Sequence, residues 1–327
     1  MKKILKIILL ISIIALVFAP LGYGKVQRGN AAKELRIALQ PIPFYAPLFI
    51  AKQQGWLEAE LKQEKAKLKW HFFLSGPAVN EAFAAGQIDI GLMGDTPALI
   101  ARASGQDLRI VSLAASGPKA QALAIPKNSN IKSVKELKGK RVAVIKGTGV
   151  HHFLALAFQK NGLKFNDVQI VNLQIEDIGA ALTSGNVEAG AIWEPYITQW
   201  VENGGIRILT DGTGIKRGLS VILVSNKFAV QNPALVNALL KAYQRGYEFL
   251  KAAPQQAAEL VAKEVNLTPK QLLQVFTKFN YWPGISDADI DDLKKSEEFM
   301  RDQKIIRSKV DIDAFVDRRY LQAAGIK

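Results

Sequence analysis

The chain has 327 residues, no cysteine, three histidines and a formal charge of +14. That length accommodates two domains with separate cores, and the lack of cysteine excludes disulfides, thiolate metal sites and a lipidated N-terminal cysteine. The basic balance favours anionic partners, but its lysines are scattered through helical stretches, with no basic run interleaved with aromatics, which argues against nucleic acid.

Lys2, Lys3 and Lys6 precede an apolar run over 7–18 that only Ser12 interrupts. The run is shorter than the roughly 20 residues a membrane span needs. Gly22 and Gly24 supply small residues for cleavage, so 1–24 reads as a signal peptide and polar 25–33 as a flexible leader. Export into the periplasm is the expectation.

A β-α-β-α order follows, which predicts largely parallel sheets. Strands are expected at Leu35–Leu39, Leu68–Leu74, Ile88–Met93 and Leu108–Ala114, with helices between them. Ser116-Gly117-Pro118 breaks the pattern, and Ala120–Ile125 resumes as an extended crossing. Arg141–Ile145, Val168–Leu173 and Ile206–Leu209 read as strands of a second sheet, with Asp177 capping the helix after Leu173. Thr210–Gly218 has the Gly, Thr and Asp content of a return linker, and Leu219–Ser225 is expected to rejoin the first sheet. From Pro233 onward the pattern is helical, with starts near Pro233, Pro254, Thr268 and Ser286.

One unit occurs twice. Gly86–Pro97 reads GQIDIGLMGDTP and Gly185–Pro195 reads GNVEAGAIWEP, so that Gly86 matches Gly185, Asp89 matches Glu188, Gly91 matches Gly190 and Asp95 matches Glu194. Each copy reads as a helix end with a positive-φ glycine, a buried strand and a sharp loop into a new helix, Thr96-Pro97 being an N-cap signal. Two such units point to two similarly built α/β domains.

In open parallel sheets ligands bind beyond the carboxyl ends of the strands, where loops feed helix N-termini. The loops that qualify are 40–44, 75–78, 94–97, 146–150 and 193–195. Lys146-Gly147-Thr148-Gly149 is the best donor nest for an anion, with the Thr148 hydroxyl as an added donor, yet it is neither a dinucleotide fingerprint nor a Walker loop. Lys146, Lys216 and Arg217 lie near these loops. Adjacent His151 and His152 point about 100° apart on a helix and do not share a metal, and no nucleophile elbow or acid–base carboxylate pair appears.

Three blocks, LSGPAVNEAFAAGQIDIGLMGDTPALIARASG (74–105), VAVIKGTGVHHFLALAFQKNGLKFNDVQIV (142–171) and NVEAGAIWEPYITQWVENGGIRILTDG (186–212), resemble the ABC-transporter aliphatic sulfonate-binding proteins, a periplasmic group that also includes taurine- and nitrate-binding proteins. The resemblance implies a two-lobed periplasmic binding fold of type II: two mainly parallel sheets flanked by helices, with a helical C-terminal portion. It places one lobe at 34–116 and 218–327 and the other, inserted, at 117–217. It also implies a monomer that hands a small organic oxyanion to an ABC permease with its ATPase, without enzymatic activity, cofactor or metal. The ligand-facing positions it marks are Gln40, Gly94, Asp95, Thr96, Gly147, Thr148, Trp193 and Glu194, to which the loops 40–44 and 146–150 add Phe44 and Gly149 as candidates. An aliphatic sulfonate is the expected ligand. Nitrate, taurine, bicarbonate or a thiamine precursor on the same scaffold is the alternative, with an enzyme on that scaffold, like the cysteine-bearing pyrimidine-precursor synthases, a more distant one. The chain departs from the group's pattern at Gly149-Val150, where serines are common, and at Pro41–Tyr45, where small residues are common.

Overall fold

The structure, a computed structural model, describes residues 33–326; the signal peptide and leader expected at 1–33 lie outside it except for Lys33. Among the described residues no helix is long and apolar enough to cross a membrane.

Two five-stranded sheets are present. The strands are β1 (Lys33–Leu39), β2 (Ala66–Phe72), β3 (Ile90–Gly94), β4 (Leu108–Ser116), β5 (Gln121–Pro126), β6 (Arg141–Val144), β7 (Gln169–Asn172), β8 (Ala189–Trp193), β9 (Ile206–Asp211) and β10 (Leu219–Ser225). The first sheet runs β2-β1-β3-β10-β4 and the second β7-β6-β8-β5-β9. In each, one strand opposes the rest. β10 is antiparallel to β3 and β4, and β5 is antiparallel to β8 and β9, while the β1–β2, β1–β3, β6–β7 and β6–β8 pairs are parallel. The sheets are therefore mixed, because the two strands that cross between them enter from the opposite end.

Helices fill the crossovers: α1 (Ala46–Gln53), α2 (Trp56–Gln63), α3 (Gly76–Ala84), α4 (Asp95–Ala103), α5 (Gly149–Lys160), α6 (Ile175–Thr183) and α7 (Tyr196–Glu202). After β10 come α8 (Asn226–Gln231), α9 (Pro233–Ala252), α10 (Pro254–Ala262), α11 (Pro269–Phe276), α12 (Asp287–Asp302) and two short turns, α13 (Ile312–Phe315) and α14 (Arg319–Ala323). Thr268 and Ser286 form capping boxes with Gln271 and Asp289, satisfying amides that a helix start otherwise leaves open. Two expected caps are corrected. α4 starts at Asp95 with Gly94 as N-cap, so Thr96 is already inside the first turn. Gln174, not Asp177, precedes α6, and Asp177 sits in its first turn, where an acid complements the helix dipole.

Two apolar cores are separate. One draws on residues from Leu35 to Ala115 and from Leu219 to Ile326, the other on Ala122 to Ile206. The C-terminal helices belong to the first.

The repeated unit explains itself in three dimensions. Gly86 and Gly185 have φ of 65° and 74°, the left-handed turn that glycine adopts without strain. Asp89 accepts the Nε and Nη2 of Arg36 on β1, at 2.9 and 2.6 Å, and also the Arg36 amide. Glu188 takes Arg141 on β6 in the same way, Nε at 3.3 Å and Nη2 at 2.7 Å, plus its amide. Each arginine also reaches the carbonyl of the glycine that opens the unit. Gly91 and Gly190 lie where a Cβ would fall 2.5 Å from Phe83 of α3 and 2.6 Å from Ile178 of α6, so each glycine lets a helix seat on its sheet. The hydrogen-bonded acid pulls both arginines above their ordinary range, and the Arg141 hydrogen bond holds Glu188 below the usual carboxylate range.

Two backbone crossings join the sheets, β4 to β5 and β9 to β10, and they touch. The Gly117 amide donates to the carbonyls of Arg217 (3.1 Å) and Gly218 (3.2 Å). Gly218 has φ of 64°, and a Cβ there would lie 2.8 Å from the Gly117 carbonyl oxygen.

Candidate functional site

A cavity opens where the carboxyl ends of β1, β2, β3, β6 and β8 meet the starts of β5 and β10. It encloses about 570 Å³ counting its open mouth. Its walls are mostly apolar, from Ile42, Phe44, Pro97, Val150, Trp193 and Leu219, with polar groups from Gln40, Tyr45, Gln121, Thr148 and Ser220. Among the described residues Asp95 is the one charged residue in the lining.

The polar groups are held by each other. The Gln40 amide nitrogen donates to the Tyr45 hydroxyl (3.2 Å) and the Leu92 carbonyl (3.0 Å), and Ser220 donates to the Met93 carbonyl (3.0 Å). Burial raises the Tyr45 phenol, against the opposing effect of Ser220 and Gln40, so it stays protonated as a donor. Gln121 is pinned by its donation to the Lys216 carbonyl at 3.1 Å. At the start of α5 the amides of Gly149 and Val150 meet no protein acceptor among the described residues, as the first turn of a helix leaves them. Gly149 adds closeness: a Cβ on it would meet only Asp95 Oδ1, at 3.8 Å.

Of the positions marked from sequence, Gln40, Phe44, Gly94, Asp95, Thr148, Gly149 and Trp193 converge on this cavity. Three do not line it. The Thr96 hydroxyl, fully buried, donates to Asp95 Oδ1 (3.3 Å) beside the Thr96 amide (2.7 Å). Gly147 turns the chain with φ of 80° and faces Ile100 and Pro77. Glu194 is fully buried and turned away, held by the Lys278 ammonium and by the Thr198 amide (3.2 Å) and hydroxyl (3.0 Å). Thr148 lines the cavity, but its hydroxyl proton goes to the Ile145 carbonyl at 2.7 Å, so it is not the expected donor. Sequence reasoning missed Tyr45, Gln121 and Ser220. Their signal was the position of each at a loop or crossing on the ligand side of a strand.

Asp95 carries a further surprise. Its Oδ2 accepts Lys216 Nζ at 2.5 Å and Ser296 Oγ at 3.2 Å, and both charged side chains are 1% exposed. Arg217 pairs instead with Asp289 of α12, at 2.6 Å. Among the described residues no lysine or arginine side chain lines the cavity. The described residues also contain no cluster of histidine and acid groups able to hold a metal.

Comparison with known proteins places this architecture. A family model described as NMT1/THI5 like matches residues 42–257. The chain belongs to the NMT1/THI5-like family. A Bacillus subtilis relative named for binding aliphatic sulfonates is 33% identical over 96% of both chains. An Escherichia coli protein of the same name is 36% identical over 67% of this chain and 68% of its own. Among solved structures, the alkanesulfonate-binding protein SsuA from Xanthomonas axonopodis pv. citri bound to MOPS superposes with a TM-score of 0.78 at 28% identity, covering 88% of this chain and 99% of that one. The NMT1/THI5-like chain thus has the two-lobed periplasmic binding fold, with its cavity between the two sheets.

Proposed function

We propose that this chain is the periplasmic solute-binding component of an ABC importer, which captures an aliphatic sulfonate and delivers it to a membrane permease with its ATPase. One observation carries the reading: the cavity offers neutral donors and an apolar wall, and its only charged group is already neutralised. A sulfonate spreads one negative charge over three oxygens, which suits dipoles such as the Gly149 and Val150 amides, the Tyr45 hydroxyl and the second N–H of the Gln121 amide. Its alkyl tail suits Phe44, Trp193 and Leu219. Nitrate and bicarbonate have no tail for that wall. The ammonium of taurine asks for a free carboxylate, and Asp95 is committed to Lys216. Relatives named for the same ligand class support the assignment.

In this reading residues 34–116 with 218–327 form one lobe, 117–217 form the other, and the two close about Gly117 and Gly218. The chain is exported by residues 1–24, acts as a monomer and does no chemistry. A nucleophilic cysteine is missing from the sequence, and the cavity holds no uncommitted base.

A thermal-shift and calorimetry panel of ethane- to hexanesulfonate, taurine, nitrate and bicarbonate tests it. A sulfonate at 100 times its dissociation constant adds about 2.7 kcal/mol to stability, and small-angle scattering shows a more compact particle. Stabilisation by nitrate or taurine with none from any alkanesulfonate overturns the ligand assignment.

A further inference from the structure

We infer that Lys216 sets the charge preference of the cavity: by neutralising Asp95 from behind, it makes a pocket lined by a carboxylate accept an anion. The inference rests on the anion reading above. Asp95 stands at the end of β3, within reach of the donors at the start of α5 that an anion would use. Left unpaired, the carboxylate would repel the ligand and compete for those donors. The ammonium of Lys216 prevents this without entering the lining, because it arrives from the return linker on the far side of the carboxylate. Nothing else does so. Thr96 and Ser296 give neutral hydrogen bonds, and Arg217 is bound to Asp289.

The other groups around this pair are Asp292 of α12, 3.9 Å from Lys216 Nζ, and His152 of α5. Burial, with smaller effects from Lys216 and His151, holds the His152 imidazole well below its ordinary value, so it adds no positive charge at neutral pH. Burial pushes the Asp292 carboxyl up, and it does not line the cavity. Lys216 is therefore the cation that decides the sign of the field at the ligand.

The experiment compares butanesulfonate with its neutral analogue, butyl methyl sulfone, by calorimetry on four proteins at pH 8: parent, Lys216→Met, Asp95→Asn and Lys216→Met/Asp95→Asn. Lys216→Met is expected to lose about a hundredfold in the sulfonate-to-sulfone affinity ratio, the size for like charges roughly 6 Å apart at an effective dielectric near 20. The double variant should return to within a few-fold of the parent ratio, which a purely structural lysine does not predict. Should Lys216→Met fail to fold, Asp95→Asn still decides, because the freed ammonium should raise the ratio about tenfold. An unchanged ratio in Lys216→Met, or in Asp95→Asn where only that variant folds, overturns the inference. A parent that binds no sulfonate at all overturns the anion reading instead, and the inference with it.

Discussion

At the end of β3 the acid of the repeated unit, Asp95, faces the cavity. At the end of β8 its counterpart Glu194 turns away from it. Upstream the two copies stay alike, with the same positive-φ glycine, the same arginine–acid pair and the same glycine under a helix. They part at the last turn. β3 runs straight into α4, whereas Glu194 and Pro195 lie between β8 and α7, and there the acid is outside the lining. Each acid then takes a lysine from outside its own sheet, Lys216 from the return linker and Lys278 from the segment after α11. The comparison teaches that the frame was kept by packing and pairing, while the final loop was free to take on separate tasks.

The largest effect should come from Lys278→Met. It leaves Glu194, with no exposed surface, without its cation, and stranding one partner of a buried pair costs about 3 kcal/mol or more. Urea unfolding measures the loss. Because Glu194 does not line the cavity, the sulfonate-to-sulfone ratio should stay within a few-fold of the parent. A large change in that ratio would make the two acids equivalent after all.

The shared arginine pairs offer a second contrast. The Asp89 side chain is 9% exposed and that of Glu188 30%. Arg36→Met should therefore cost about 2 kcal/mol and Arg141→Met clearly less. Equal losses in denaturant titration would show that exposure does not separate the copies.

Acid sharpens the comparison at the Asp95 end alone, where His152 stacks on Phe299 with ring centroids 4.3 Å apart and both ring nitrogens unpartnered. Its pKa is depressed in the folded chain, and that of His151 is brought down to about 4, by burial first and Lys146 second. Unfolded histidine takes its proton near pH 6.5, so stability is full above that value and falls as the pH drops through it. Asp292 works in the opposite direction, its carboxyl, raised by burial, taking a proton earlier in the folded chain. A loss of about 2 kcal/mol for each of the two histidines between pH 7 and pH 5, partly offset by Asp292, is expected in thermal melts, and His152→Phe should remove about half of it. A parent curve without slope there would count against a buried neutral imidazole.

Much of the frame was legible because it follows from short-range rules. Alternation of strands and helices, the glycines at helix ends and the capping residues at Thr268 and Ser286 all act within a few residues. The duplicated acids were visible too, but their partners were not. Arg36 and Asp89 are 53 positions apart, and Lys216 and Asp95 are 121 apart. The same distance hid the state of the candidate site. Lys216, read only as a cation near these loops, turned out to be covered by α12, whereas the Thr148 hydroxyl was claimed locally, by the Ile145 carbonyl three residues back. Pairing across the fold depends on register and packing, which no local pattern encodes.

The order of strands in the first sheet has a consequence for synthesis. β10 lies between β3 and β4, so those two strands have no neighbour to join them until residue 225 has been made. The second sheet needs only residues 121–211 and is complete earlier along the chain. A chain folding as it emerges would finish its inserted half while the outer half still carried two open strand edges, the surfaces most prone to pair wrongly. Delaying folding until the whole chain is available removes that hazard, and the export proposed above, were it of an extended chain, would impose such a delay.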